Sequence, residues 1–231
     1  ENIKKIGNRG DFNIWLIDGA KVRKDIDTEF NNFGCHFEFN FIPRMELWLD
    51  VEADCNERLY FIDHMITEWR LMDKGADYKT ATNVADIKEE SERKKGKEIK
   101  KILNESYPEI IKHIHKEFLG KCDNCTTSVW LIDGSIVRSI YNVDFTEGGH
   151  DLVYKFVPPN EVWIDDDITH PERPYVILHE LYERDLMSRG INYNSAHGGT
   201  SLINGASSIE WEARHNPKKL KEGLTLLGWN Y

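Results

Sequence analysis

A chain of 231 residues has room for one domain or two small ones, and 40% hydrophobic residues, seven of the total being Trp, supply a core. A net charge of −10 and a pI near 5.4 argue against nucleic acid as a main partner, since phosphate binding needs a basic face. No apolar run approaches the ~20 residues that span a bilayer, and the opening Glu1-Asn2-Ile3-Lys4-Lys5 is too polar for a signal peptide. No membrane partner is expected, and the expected location is intracellular (cytoplasmic) or virion-associated. Cys35, Cys55, Cys122 and Cys125 are too sparse for a disulfide framework without a secretory signal. Cys122-Asp-Asn-Cys125 has half the spacing of a zinc knuckle and no second half, so free thiols are the expectation.

Shifting the chain by 115 lays residues 14–78 on 129–193 without a gap, and 24 of the 65 pairs are identical. Trp15-Leu16-Ile17-Asp18-Gly19 falls on Trp130-Leu131-Ile132-Asp133-Gly134. Glu46, Trp48 and Asp50 fall on Glu161, Trp163 and Asp165, and His64 and Glu68 fall on His179 and Glu183. The sequence therefore reads as a tandem duplication of a small module. Copy one spans 12–95 and a helical linker 96–126. Copy two spans 127–216, and a tail at 217–231 packs back onto a module. Two like modules are expected to pack on each other as a pseudo-twofold pair.

In chain order each module begins with an apolar run that meets Asp-Gly and continues past Val-Arg, which predicts a β-hairpin turning at Asp-Gly. The alternation Leu152–Val157 predicts a second strand and Glu161–Ile164 a third, followed by an acidic turn at Asp165-Asp166-Asp167. Pro171 is placed to open a helix over 175–190 that ends at Gly190. A further helix is predicted from Tyr193 to about Arg214, broken near Gly198-Gly199 and closed by Pro217. In copy one the corresponding late helix is the Lys/Glu-rich stretch Asp86–Lys101. Pro108 opens a short helix over Glu109–Phe118, whose His113 and His115 face different sides and read as solvated. Strands followed by helices make each module α+β: a β-hairpin, two further strands and two helices.

The polar residues of copy two carry the functional reading. His179 and Glu183 lie four apart on one helix face. His150 follows a Gly-Gly turn beside a strand, and His197 and Glu210 lie on the next helical segment. His150, His179, Glu183, His197 and Glu210 are the candidate ligands of a divalent metal such as zinc, since N/O ligands from separate elements are how catalytic zinc sites are built. Glu180, beside His179, is the candidate base for a metal-bound water. Copy one keeps His64 and Glu68 but has Met65 for Glu180, Thr82 for His197 and Cys35 for His150. Glu89 matches Glu210 if six residues are inserted.

The order strand, then helix with His-Glu, resembles the zincin metalloproteases in part. Their motif is His-Glu-x-x-His, and here the last position is Glu183. The longer pattern of Gly-Gly-His, Trp-Ile-Asp-Asp, His-Glu-Leu-Tyr-Glu-Arg and Tyr-x-x-Ala-His resembles an uncharacterised domain of phage, other viral and bacterial proteins. That resemblance covers about 127–216 and implies no activity.

Two readings stay open. One is a metal-dependent hydrolase with its site in the second repeat. The other is a non-enzymatic structural or binding protein in which His179 and Glu183 pin the helix to the sheet, Arg184 and Arg214 pair with Glu210 or Glu212, the Asp165 turn is solvated or caps a helix, and no cofactor is held.

Overall fold

The same order of strands and helices occurs twice in the computed structural model, which describes residues 4–123 and 126–229. Among the described residues there are two four-stranded sheets and ten helices, an α+β architecture. The first sheet runs β1 (Lys4–Arg9), β2 (Phe12–Ile17), β4 (Glu46–Asp50), β3 (Phe33–Cys35). The second runs β5 (His115–Lys121), β6 (Ser128–Ile132), β8 (Glu161–Asp165), β7 (Gly148–His150). In each sheet the first strand is antiparallel to the second, the third parallel to the second, and the fourth antiparallel to the third. Residues 115 apart take matching registers: Trp15 pairs with Trp48, and Trp130 with Trp163.

The hairpin expected at Asp-Gly does not form. Each Asp-Gly is a strand-to-helix junction, leading into α1 (Gly19–Asp25) and α6 (Gly134–Ile140). The reason lies at the end of the parallel neighbour. Gly19 N–H donates to Asp50 Oδ1 at 3.1 Å, and Gly134 N–H donates to Asp166 Oδ1 at 3.3 Å. A Cβ on Gly19 or Gly134 would collide with the Asp50 or Asp165 carboxylate. Glycine is thus required for a close approach, not for a turn. The Asp165 turn caps α6 in this way.

Leu152–Val157 is not a strand but a series of turns. Its Phe156 ring lies 6.1 Å from that of Trp163, as Phe41 lies 6.0 Å from Trp48, so aromatic packing produced the alternation. α2 (Arg58–Asp73) follows β4 in sequence and α7 (Arg173–Ser188) follows β8. Gly190, at φ 90°, ends α7 as expected, with Gly190 N–H and Ile191 N–H bonded back to Met187 and Leu186. The helix expected from Tyr193 is two pieces, α8 (Tyr193–His197) and α9 (Ala206–His215), separated by a turn in which Gly199 has φ 82°. Pro217 opens α10 (Pro217–Leu226) rather than closing α9.

In the first half of the chain α3 (Tyr78–Arg93) and α4 (Lys97–Ile102) replace the single late helix. α5 (Tyr107–Ile114) stops at Ile114, and His115 to Lys121 are β5. His115 is accordingly not a solvated helical residue. Its ring stacks on Trp130 at 4.2 Å and bonds Glu161 at 2.9 Å.

Two compact units result. Unit 1 contains the residues up to Lys21, Phe30–His113 and Ser135–Phe145; unit 2 contains Val22–Glu29, Ile114–Gly134 and the chain from Thr146 onward. Each unit thus includes a short segment from the other half of the chain. In unit 1, Phe12, Ile14, Leu47 and Leu49 pack under Phe61, Ile62, Met65 and Trp69 of α2. In unit 2, Val129, Leu131, Val162 and Ile164 pack under Val176, Ile177, Leu178 and Leu181 of α7. The tail joins this core through Leu224 and Trp229. No described helix is long and apolar enough to cross a membrane. Cys35 is a buried free thiol and Cys55 an exposed one, and Cys122 is buried; Cys125, the other half of the Cys-x-x-Cys spacing, lies outside the described residues.

Candidate metal centre

Helix α7 aims His179 and Glu183 at α8 because its other face carries Val176, Ile177, Leu178 and Leu181 into the core. Asn192 caps α8 by accepting from Ser195 N–H, which sets His197 opposite that pair. His197 Nδ1 lies 2.7 Å from Glu183 Oε2 and 3.1 Å from His179 Nε2, and His179 Nε2 is 3.9 Å from Glu183 Oε2. Ligand atoms at tetrahedral angles and zinc-like bond lengths of about 2.0–2.2 Å stand about 3.3 Å apart. The three atoms therefore bracket the size of one coordination site.

Each of these side chains is held from behind. His179 Nδ1–H donates to Glu210 at 2.8 Å, and His197 Nε2–H donates to Glu29 at 2.9 Å. A ring nitrogen paired with a carboxylate fixes the tautomer and turns the other nitrogen toward a metal. Glu183 is held by His150, which is fully buried. Leu152 N–H donates to His150 Nδ1 at 3.2 Å, so His150 Nε2 carries the ring proton and donates to Glu183 Oε1 at 3.0 Å. That leaves Glu183 Oε2 directed at His197.

The expected ligands thus meet in one place, in two roles. His179, Glu183 and His197 converge, while His150 and Glu210 stand behind them. His179 and Glu183 do not bond each other as the architectural reading expected; each is held by a residue from another element. Arg214 pairs with Glu210 at 2.8 Å, and Arg184 pairs with Asp151 at 2.6 Å instead of Glu210 or Glu212.

Glu180 points from α7 toward β7, with a carboxylate oxygen within 4.8 Å of ligand atoms of His150 and Glu183. Gly148 makes room for it: a Cβ there would stand 3.0 Å from Glu180 Cγ. Burial pushes the Glu180 carboxyl up to about 7. Burial acts in the same direction on Glu183, but hydrogen bonds from His150 and His197 hold it down at about 2. Hydrogen bonds to Glu183 and Glu29 lift His197 to about 10. Burial disfavours a charged His179, yet the bond to Glu210 carries it upward. Two neighbouring carboxylates on one helix are thereby driven apart, one ready to take a proton and the other fixed as an anion.

A chain of buried ion pairs supports the cluster. Glu210 pairs with Arg214, and Arg214 with Glu172 at 2.7 Å. Glu172 pairs with Arg23 at 3.1 Å, and Arg23 also meets Glu147 at 2.9 Å. Sequence reading did not find Glu29, Arg23 or Glu172. The self-comparison carried a signal for them: Arg23 and Glu172 match Arg138 and Glu57, and Glu29 matches the acidic Asp144.

The chain matches no family model. No curated protein and no solved structure matches it significantly either.

Proposed function

We propose that unit 2 is a metal-dependent hydrolase, with a zinc-like divalent ion held by His179 Nε2, Glu183 Oε2 and His197 Nδ1. The observation carrying this reading is that three ligand atoms converge while each ligand is oriented by its own partner, buried Glu210 or His150 or the more exposed Glu29. A structural polar cluster needs partners but has no need to aim three ligand atoms at one point. Two His, one Glu and an open position form a ligand set used by catalytic zinc. At this site a bound ion would supply a Lewis acid and lower the pKa of a water. Glu180 takes the proton of the attacking water and returns it to the leaving group, a role suited to a carboxyl that titrates near neutral pH. His150 and Glu210 keep the ligand atoms aimed. Metal analysis of protein purified without a His tag tests this. One equivalent of metal per chain, lost on His179→Ala, is expected; no stoichiometric metal and a melt indifferent to chelator and zinc would refute it.

A second reading draws on unit 1. His64 and Glu68 occupy the same helix positions there, and no described residues of that unit form a converging ligand triad. On that reading the His/Glu pair is architectural and the protein is a non-enzymatic binding or structural protein. The module itself, we propose, arose by tandem duplication, supported by the shared strand order and the matching registers at a separation of 115 residues.

A further inference from the structure

Glu29 belongs to the first repeat by sequence and to unit 2 by structure. We infer that it is a positioning residue for the centre in the second repeat, so that the site is incomplete without a segment of the first. This rests on the reading of His197 as a ligand.

Three observations carry it. Glu29 Oε2 accepts from His197 Nε2–H at 2.9 Å across 168 residues of sequence. Among the described residues His197 has no other carboxylate on that nitrogen; its Nδ1 faces Glu183. The segment is also anchored: Arg23, 1% exposed, fixes its start to Glu147 and Glu172. Glu172 leads through Arg214 and Glu210 back to His179. The two ligand histidines are thus joined by one continuous run of contacts that passes through the Val22–Glu29 segment. The Ser207 hydroxyl lies within bonding reach of both Glu29 and the His197 carbonyl and donates its one proton to either.

The matching position in the chain gives the contrast. Asp144, one methylene shorter, belongs to unit 1 and bonds Asp86, where Thr82 stands in place of a histidine. The acidic residue at this step reaches a ring nitrogen only where a histidine is present and the side chain is Glu.

Glu29→Ala and Glu29→Gln in the full chain test the inference. Orienting partners of this kind change metal affinity about 10–100-fold. Glu29→Ala is expected to weaken zinc binding by that factor, and Glu29→Gln, whose amide oxygen still accepts from Nε2–H, to restore most of it. In metal-free protein the His197 Nε2–H proton should give a protected NMR resonance in the wild type and in Glu29→Gln, and none in Glu29→Ala. A persistent resonance in a folded Glu29→Ala would overturn the inference whether or not metal binds. So would unchanged zinc affinity in that variant. A wild type that binds no zinc yet loses the resonance on Glu29→Ala refutes the metal reading alone and leaves Glu29 as the residue that orients His197.

Discussion

His64 and His179 stand at the same step of matching helices, and each gives Nδ1 to a carboxylate at 2.8 Å, Glu89 in unit 1 and Glu210 in unit 2. Behind these carboxylates the units agree. Arg93 pairs with Glu89 and Glu57, and Glu57 with Arg138; Arg214 pairs with Glu210 and Glu172, and Glu172 with Arg23. Arg93 and Arg214 even lie over matching rings, Tyr60 and Tyr175. On the other side of the histidine they diverge. His64 Nε2 faces Glu68 at 3.6 Å, and the Thr82 hydroxyl donates to that carboxylate at 3.1 Å. Phe33 replaces Gly148 and puts its ring 5.4 Å from His64, while Met65 and Cys35 replace Glu180 and His150. The shared half is a scaffold of buried charge; the half that differs is where chemistry would reside. A His/Glu pair at i, i+4 is therefore no evidence of a metal by itself. The residues facing its open side decide.

The sharpest way to break this comparison is to remove one ligand from each unit. His197→Ala and Glu183→Ala should abolish stoichiometric metal by elemental analysis, whereas His64→Ala and Glu68→Ala should leave it unchanged. Metal lost equally from both sets would place the ion elsewhere.

The scaffold gives the next effect. Leaving a buried charge without its partner costs about 3–5 kcal/mol. Arg93→Met and Arg214→Met should each lower unfolding free energy in denaturant titrations by less than that full amount, because each removes one of two partners: Glu57 keeps Arg138 and Glu89 keeps His64, as Glu172 keeps Arg23 and Glu210 keeps His179. If only Arg214→Met is costly, the two chains of ion pairs are not equivalent and the shared scaffold fails.

A smaller effect sits at Gly148. A Cβ there would meet Glu180 Cγ and Trp163 O at 3.0 Å and Val176 Cγ1 at 3.1 Å. Gly148→Ala should cost about 1–3 kcal/mol as overpacking and displace Glu180, leaving metal content intact in the folded fraction. Restored stability in Gly148→Ala/Glu180→Ala would identify Glu180 as the group displaced; a stable single variant would show that the space is not needed.

The sequence made the strand Glu161–Ile164, the helix that follows and the five ligand candidates legible, because each is encoded over a few residues at helix or strand spacing. What it hid has physical causes. Asp18-Gly19 has the local chemistry of a tight turn, and only the carboxylate of Asp50, on a strand not yet placed, shows why the glycine is needed. Leu152–Val157 alternates because Tyr154 and Phe156 pack together at 5.1 Å, a pattern that loops and strands share. Roles within the site were hidden for another reason. His150 and His197 look alike as residues, and it is the Leu152 N–H at His150 Nδ1 that makes one a donor to Glu183 and leaves the other facing the centre. Glu29 was beyond reach because its contact spans 168 residues.

The pH dependence separates melting, to which both units contribute, from metal binding, to which one does. His64 and His197 are each lifted to about 10 by neighbouring carboxylates, although for His64 burial works against the charge. A histidine raised above its unfolded value near 6.5 adds stability that is full below that value and lost as pH climbs through the folded one. Metal-free protein should therefore melt at progressively lower temperature from about pH 7 to 10, with both units contributing. A metal ion must instead displace the ring protons of His197 and His179, both held by neighbouring carboxylates, so its apparent affinity should rise with pH over the same range, about tenfold per unit for each proton released. The two slopes oppose each other in the wild type. His64→Ala should reduce the first and spare the second, and His197→Ala should remove the second. Zinc affinity that is flat with pH in the wild type would mean that no ring proton is displaced, and His197 would then be a charged structural residue like His64.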